Sequence, residues 1–331
     1  MNDTVIQEAI KTCQTAAIAA AQWVGRGQQD AADQAAVTAM RNCLAYSLIQ
    51  ARVVIGEGER DEAPMLFIGE QLGRGDQESA AVDIAVDPLE GTGLCAYAAP
   101  GALALLAMAP RNTLLHAPDI YMDKIAVGPA AQGAVDIDRP VADNLSSVAK
   151  RLNRPVDTLT VCILDRPRHQ EIIKQVRQTG ARVQLIADGD VAASILTCMP
   201  HAQVHMVLGS GGAPEGVLAA CALKSLQADM QGRLLFANDQ QLQRCQSMMP
   251  NQDPKRKLTL NDLVQQEAVF AATGVTSGNL LPGVQQQGHR STTYTLLLST
   301  QQQTQWICQQ HPPHHDAVNP HGWLQSPFAV S

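Results

Sequence analysis

The segment Asp87-Pro88-Leu89-Glu90-Gly91-Thr92 sets two carboxylates three residues apart, directly after the apolar run Val82 to Val86. Pro88 favours a turn, Gly91 lets backbone approach a ligand, and Thr92 adds a hydroxyl beside peptide N–H groups. Such a turn can aim both acids at one hard cation while its Gly-Thr peptides cradle an anion. A solvated Pro-Gly surface turn is the competing description. A second acidic knot, Glu57, Glu59, Asp61 and Glu62, follows Arg52-Val53-Val54-Ile55 and reads otherwise as a solvated loop. The third acid, Glu215, lies in Gly209-Ser210-Gly211-Gly212-Ala213-Pro214-Glu215, where a strand gives way to a helix whose positive end would lie near the carboxylate. This glycine cluster is not a dinucleotide fingerprint, because Pro214 stands where the third glycine belongs.

Acidic strand ends that converge repel one another and desolvate poorly unless a cation joins them. Oxygen donors of this kind suit Mg²⁺ or Mn²⁺ better than zinc, and the cysteines and histidines lack zinc-site spacing. Positive charge comes from Asp165-Arg166-Pro167-Arg168-His169, again after an apolar run, as a phosphate clamp or simply as a pair of surface arginines. Asp188-Gly189-Asp190 offers hydrogen bonds to sugar hydroxyls, or an ordinary turn and helix cap. Tyr121, one of four tyrosines, reads on its own as a core side chain.

The elements that must position these residues follow from periodicity. Helical spacing covers residues 4 to 24, stopped by Gly25 and Gly27, and a second helix is expected from Ala31 to Ile49 with Asp33 in its first turn. Strands are expected at Arg52 to Ile55, Val82 to Val86 and Ala102 to Ala109. From Asn144 the chain alternates: strands Leu159 to Leu164, Val183 to Ala187 and Val204 to Leu208, with helices between them and one from Ala213 to Leu226. Alternation of this kind implies right-handed crossovers and ligands at the carboxyl ends of the strands. Strands at Val269 to Ala272 and Thr293 to Ser299 close the fold. The class is α/β, with a mixed sheet in the N-terminal half and a largely parallel sheet in the C-terminal half. We expect a metal-binding half at 1–145, a substrate-binding half at 146–310 and a disordered tail at 311–331.

Composition narrows the function. The 331 residues carry a formal charge of -7 with no basic run, which disfavours nucleic acid as a partner. Hydrophobic residues make up 45% and aromatics 3%, so Ala, Val, Leu, Ile and Met must build the core. The eight cysteines are dispersed and read as reduced thiols. The start mixes Asp3, Glu8 and Lys11 into apolar residues, unlike a signal peptide, and no apolar stretch reaches membrane-spanning length. A cytoplasmic protein without membrane contact is expected, acting on a small molecule; a homo-oligomer is expected as well, although composition does not decide it.

Taken together these segments resemble the class II fructose-1,6-bisphosphatases, within the lithium-sensitive, metal-dependent sugar phosphatase superfamily that includes inositol monophosphatases. The match is collinear from about residue 10 to 300, through Val54-Ile55-Gly56-Glu57-Gly58-Glu59, Asp87 to Thr92, Ala117-Pro118-Asp119, Asp188 to Ser194, Gly211 to Gly216 and Ala272 to Val275. The resemblance implies a layered sugar-phosphatase fold and metal ligands at Asp33, Glu57, Asp87, Glu90 and Glu215. It implies Asp61, Glu90 and Thr92 as catalytic residues, with Asp61 helping to activate the attacking water. Substrate contacts would come from Glu90, Gly91, Thr92, Tyr121, Arg166, Pro167, Arg168, Asp188, Gly189, Asp190 and Gly212. The implied reaction removes the 1-phosphate of fructose 1,6-bisphosphate, with sedoheptulose 1,7-bisphosphate as a further substrate.

The sequence also departs from that pattern. Gln29 stands at a usual lysine, Gly93 at a common arginine, Ala99-Pro100-Gly101 replaces a polar stretch, and the chain is shorter around 236 to 242. A degenerate relative that binds without turnover therefore competes with an active enzyme. Retention of all five carboxylates favours the enzyme, and the two arginines disfavour a monophosphatase.

Overall fold

Helix formation begins where a cap is available: the Asn2 side chain accepts from the Val5 N–H at 3.1 Å, and Val5, Ile6, Ala9, Cys13, Ala16, Ala17 and Ala20 bury one face of the helix that follows. The computed structural model describes residues 1–57, 65–199, 203–249, 252–301 and 304–312. In chain order the first elements are α1 (Asp3–Ala21), α2 (Gln29–Ala45), β1 (Gln50–Ile55), β2 (Gln71–Leu72), β3 (Ala81–Glu90), α3 (Thr92–Ala96) and β4 (Leu103–Pro110). A middle block contains β5 (Tyr121–Val127), α4 (Val141–Leu152), β6 (Thr160–Leu164), α5 (Gln170–Gln178), β7 (Arg182–Ile186), α6 (Asp190–Leu196), β8 (Met206–Gly212), α7 (Ala213–Ser225) and β9 (Asp229–Leu235). Then come α8 (Asp239–Met248), β10 (Leu258–Thr259), α9 (Leu260–Leu263), β11 (Val269–Gly274), β12 (Gln285–Gln287), β13 (Arg290–Ser299) and β14 (Gln305–His311).

Among the described residues these strands make two sheets. The eight-stranded sheet runs β12-β13-β11-β4-β3-β1-β2, with β14 on β13, and the six-stranded sheet runs β10-β9-β5-β8-β6-β7. In the first, only β1 and β3 pair in parallel. In the second, β6 is parallel to β7 and β8, whereas β5 is antiparallel to β8 and β9. The expected largely parallel sheet is therefore corrected. The crossovers do keep β6 to β9 pointing one way, but β5 slots between β8 and β9 in the opposite sense and makes both its pairings antiparallel.

Three cores define the layers. One lies between α1, α2 and the first sheet; a second joins that sheet's other face to α6, α7 and the second sheet; a third lies between the second sheet and α4 and α5. Helix α7 is the middle layer, almost wholly buried and shared by both sheets. With few aromatics, β11 packs Val269, Phe270, Ala271 and Ala272 at 0% exposure, and the alanines leave room for helices on both faces. Truncating Leu105, also fully buried, to Ala would cost about 2–5 kcal/mol.

Strands β11 to β14, which a division at residue 146 puts with the C-terminal half, are hydrogen bonded into the first sheet beside β4. His311, placed in the tail by sequence, ends β14 buried, with Nε2 2.8 Å from Thr293 Oγ1. The remainder of that tail from residue 313 lies outside the described residues. No helix among the described residues is long and apolar enough to cross a membrane.

Candidate active site

The expected turn at Asp87 to Glu90 is not a turn. Strand β3 runs through it, pairing Asp87 with Leu105 and Glu90 with Leu103, so that three steps on β3 oppose two on β4. One extra residue cancels the odd spacing, and the bulge turns both carboxylates to the same side. The Leu89 N–H donates to Asp87 Oδ1 at 3.1 Å, and Glu90, 3% exposed, accepts from the Val191 N–H at 3.0 Å through Oε1.

The other acids arrive from separate elements. Asp33 comes from the first turns of α2, Glu57 from the end of β1, and Glu215 from the N-terminus of α7. Their electrostatics show that they share one space. Burial raises Asp87, and the charges of Glu90, Glu215, Glu57 and Asp33 raise it further. Burial, followed by Asp33, Asp119 and Glu215, pushes Glu57 up to about 8. Glu90 is raised by burial and by Asp190, Asp188 and Glu215 despite its bond from Val191; Asp33 is raised by burial and Asp30.

A cation fits this donor set. All the converging groups are carboxylates, and Glu90 Oε2 and Glu215 Oε2 are buried with no hydrogen-bond partner, an arrangement that is costly for charged oxygens unless something binds them. Among the described residues no three of these side chains are already gathered into a finished cage. Asp61, Gly58, Glu59 and Glu62 lie outside the described residues.

One positive charge is built in, and sequence reasoning missed it. Lys124 on β5 is 6% exposed, pairs with Asp190, and donates to the Gly212 carbonyl at 3.1 Å. Burial raises Glu215, and Lys124 pulls it back down. A signal existed: period two puts Lys124 on one face with Met122 and Ala126, both buried, so this lysine had to be buried too. Gly211 is glycine because a Cβ there would stand 2.6 Å from Asp190 Oδ2 and 2.8 Å from Lys124 Nζ. Asp119, quoted only as part of a matching segment, also acts on Glu57 and Glu215.

The polar and basic residues flank these acids. Gly91 precedes α3, which opens with Thr92; Gly189 precedes α6, which opens with Asp190; and Gly212 precedes α7. Burial raises Asp188, against the Gly189 N–H bond and the Arg166 charge. Pro167, Arg168 and His169 form a single 3₁₀ turn after β6, and the Arg168 guanidinium stacks over the Tyr121 ring at 4.7 Å. Tyr121 is 53% exposed, which corrects the reading of a core tyrosine. It pairs across to Gly212, so clamp and carboxylates meet at the same end of β8. Gln29 and Gly93, both departures from the resembling pattern, are neighbours: a Cβ on Gly93 would lie 3.9 Å from Gln29 Nε2.

Comparison with known proteins identifies the family. Residues 3–311 match the family described as bacterial fructose-1,6-bisphosphatase, glpX-encoded. The chain is 46% identical over 308 residues to fructose-1,6-bisphosphatase 1 class 2 of Escherichia coli, covering 89% of this chain and 90% of that one. It is 43% identical over 327 residues to a D-fructose 1,6-bisphosphatase class 2/sedoheptulose 1,7-bisphosphatase of Trichormus variabilis, covering 92% and 94%. Against fructose-1,6-bisphosphatase class 2 of Haemophilus influenzae the identity is 42% over 318 residues, with the same coverage. The chain belongs to the bacterial, glpX-encoded fructose-1,6-bisphosphatase family.

Proposed function

We propose that this protein hydrolyses fructose 1,6-bisphosphate at its 1-phosphate, giving fructose 6-phosphate and inorganic phosphate, and that it also accepts sedoheptulose 1,7-bisphosphate. The observation that carries the reading is the pair of unsatisfied buried oxygens, Glu90 Oε2 and Glu215 Oε2, at the strand end that also presents the stacked Arg168 and Tyr121. Asp33, Glu57, Asp87, Glu90 and Glu215 would hold Mn²⁺ or Mg²⁺. Such ions polarise a phosphoryl group and lower the pKa of a bound water.

The chain's own groups do the rest. Thr92 and the Gly91–Thr92 peptides would receive the reacting phosphate at the start of α3, and Asp61 would take the proton of the attacking water, a role resting on the resemblance. Asp188, Gly189, Asp190 and Gly212 would bind sugar hydroxyls, with Lys124 holding Asp190 in place. Arg166, Pro167, Arg168 and Tyr121 would grip the distal phosphate, which selects bisphosphates over inositol monophosphates. All eight cysteines are free, in accord with a cytoplasmic setting. A homo-oligomer is part of the proposal, supported by Trp306, 54% exposed on β14.

The test is phosphate release from fructose 1,6-bisphosphate, sedoheptulose 1,7-bisphosphate and inositol monophosphate, first in excess chelator and then with Mn²⁺ or Mg²⁺. We expect no turnover with chelator, and recovery on both bisphosphates once metal is returned. Full turnover in chelator would sink the mechanism, and preference for the monophosphate would sink the substrate assignment.

A further inference from the structure

Arg168 is exposed, yet its side chain is not free to wander. Its Nε donates to Ser210 Oγ at 3.0 Å and its Nη2 to the Ser210 carbonyl at 2.8 Å, so one residue of β8 grips the guanidinium along one edge. One face of the guanidinium lies over the Tyr121 ring, and Nη1 takes no part in the grip of Ser210. Ser210 is itself fixed by His169, which is 1% exposed and lies one residue beyond the arginine. The imidazole Nδ1 donates to the Leu164 carbonyl at 2.7 Å, which leaves the Nε2 lone pair to accept from the Ser210 N–H at 2.9 Å, with Ser210 Oγ 3.1 Å away. The ring is pressed onto the strand: a Cβ on Gly209 would come within 3.1 Å of Nε2, and Gly209 has φ +136°. A chain of contacts thus runs from the end of β6 through a buried histidine and a serine to an exposed cation stacked on tyrosine.

We propose that His169 and Ser210 are positioning residues that preset Arg168 against Tyr121, and so govern how tightly a substrate's distal phosphate is held rather than how fast the other phosphate is cleaved. This inference rests on the distal-phosphate reading of the clamp. An unrestrained surface arginine loses its rotamer freedom when it binds phosphate; one already ordered by Ser210 has lost it beforehand, and the difference appears as affinity. Because Nε and one edge are taken by the protein, the remaining Nη1 edge faces a phosphate in one orientation.

The experiment compares KM and kcat on fructose 1,6-bisphosphate and on fructose 1-phosphate, which lacks the distal group, with saturating Mn²⁺. Ser210→Ala should raise KM for the bisphosphate about tenfold, the equivalent of about 1.4 kcal/mol. It should leave kcat and the fructose 1-phosphate constants within about twofold, and Ser210→Thr, which keeps the hydroxyl, should restore KM. A merely structural role would shift both substrates together, and that result, or a fall in kcat at unchanged KM, overturns the proposal. Arg168→Ala in parallel separates the two readings. An unchanged bisphosphate KM there removes the distal-phosphate reading itself; a raised KM there beside an unchanged one in Ser210→Ala removes only the positioning role.

Discussion

Strand β3 carries one acid at its beginning and two at its end, and their surroundings are opposites. Asp83 accepts two bonds from Arg52 at 2.8 Å each and one from the Asn112 N–H at 2.6 Å, with Arg111 at 3.3 Å and His116 at 3.5 Å. Burial alone would raise its pKa, but His116 nearby and the bonds from Arg52 and the Asn112 N–H hold it well below the usual carboxylate range. Asp87 and Glu90 are held well above that range, with other carboxylates for neighbours and one oxygen of Glu90 unused. A carboxylate whose lone pairs are all engaged by the chain is part of the scaffold. One that is buried among like charges is stable as an anion only when a cation from outside completes it.

The sharpest way to break this contrast is to remove the acids at the working end. Asp87→Ala and Glu215→Ala should each lower kcat by at least about two orders of magnitude, since each would dismantle the proposed charge-stabilising metal site. In chelator the same variants should melt no lower than the parent, because a repulsion has gone. Near-normal turnover in both would mean that the ligand assignment is wrong.

At the other end, Asp83→Asn should destabilise the protein by about 2 kcal/mol, as its arginines lose a buried partner while keeping some access to water. Its kcat should stay within about twofold. The pH dependence follows from the depressed pKa: this stabilisation is whole above the unfolded value of about 3.9 and is lost as pH falls below it. Melting curves between about pH 5 and 3 should therefore be flatter for Asp83→Asn than for the parent. Equal slopes would leave Asp83 without its scaffold role.

The smallest effect probes the positive side of the working end. Gln29→Lys should raise kcat/KM for fructose 1,6-bisphosphate by roughly tenfold, if one charge contact of about 1.4 kcal/mol is regained. Gln29 is exposed at the first position of α2, where the helix dipole opposes a cation, so a slightly lower melting temperature should accompany the gain. An unchanged kcat/KM with intact folding would show that Gln29 does not limit this enzyme.

What sequence could and could not reveal divides along physical lines. Runs such as Val82 to Val86 and the alternation after Asn144 are local signals, and β3, β6, β7 and their helices formed where periodicity put them. The bulge at Asp87 to Glu90 depends on pairing with β4, and Pro88 and Gly91 argue locally for a turn, so the strand's continuation was hidden. Strands β5 and β9 mix Asp, Lys, Gln and Arg into short runs, as in Asp229-Met230-Gln231-Gly232-Arg233, and pairing with each other and with β8 and β10 makes them strands. The burial of Lys124 is hidden for that reason, because its place on the face of Met122 and Ala126 follows only once pairing establishes the strand. Asp87 and Glu215 stand out in the sequence because buried-run-to-acid transitions are visible within a few residues.

The pairing of β4 with β11, Val269 opposite Met108, bears on how the chain is made. Everything from β5 to β10 is synthesised between these two partners. The second sheet can assemble from strands close in sequence while the first waits with the β4 edge bare, a long closure of the kind that slows folding. A nascent chain halted before Val269 exposes an apolar strand edge, Leu103-Ala104-Leu105-Leu106, ready to pair with another chain. The chain is therefore most exposed to protein quality control between the synthesis of β4 and that of β11, a stretch that ends only as the last fifth of translation begins, and a chain shortened before Val269 is expected to aggregate rather than form a smaller working domain.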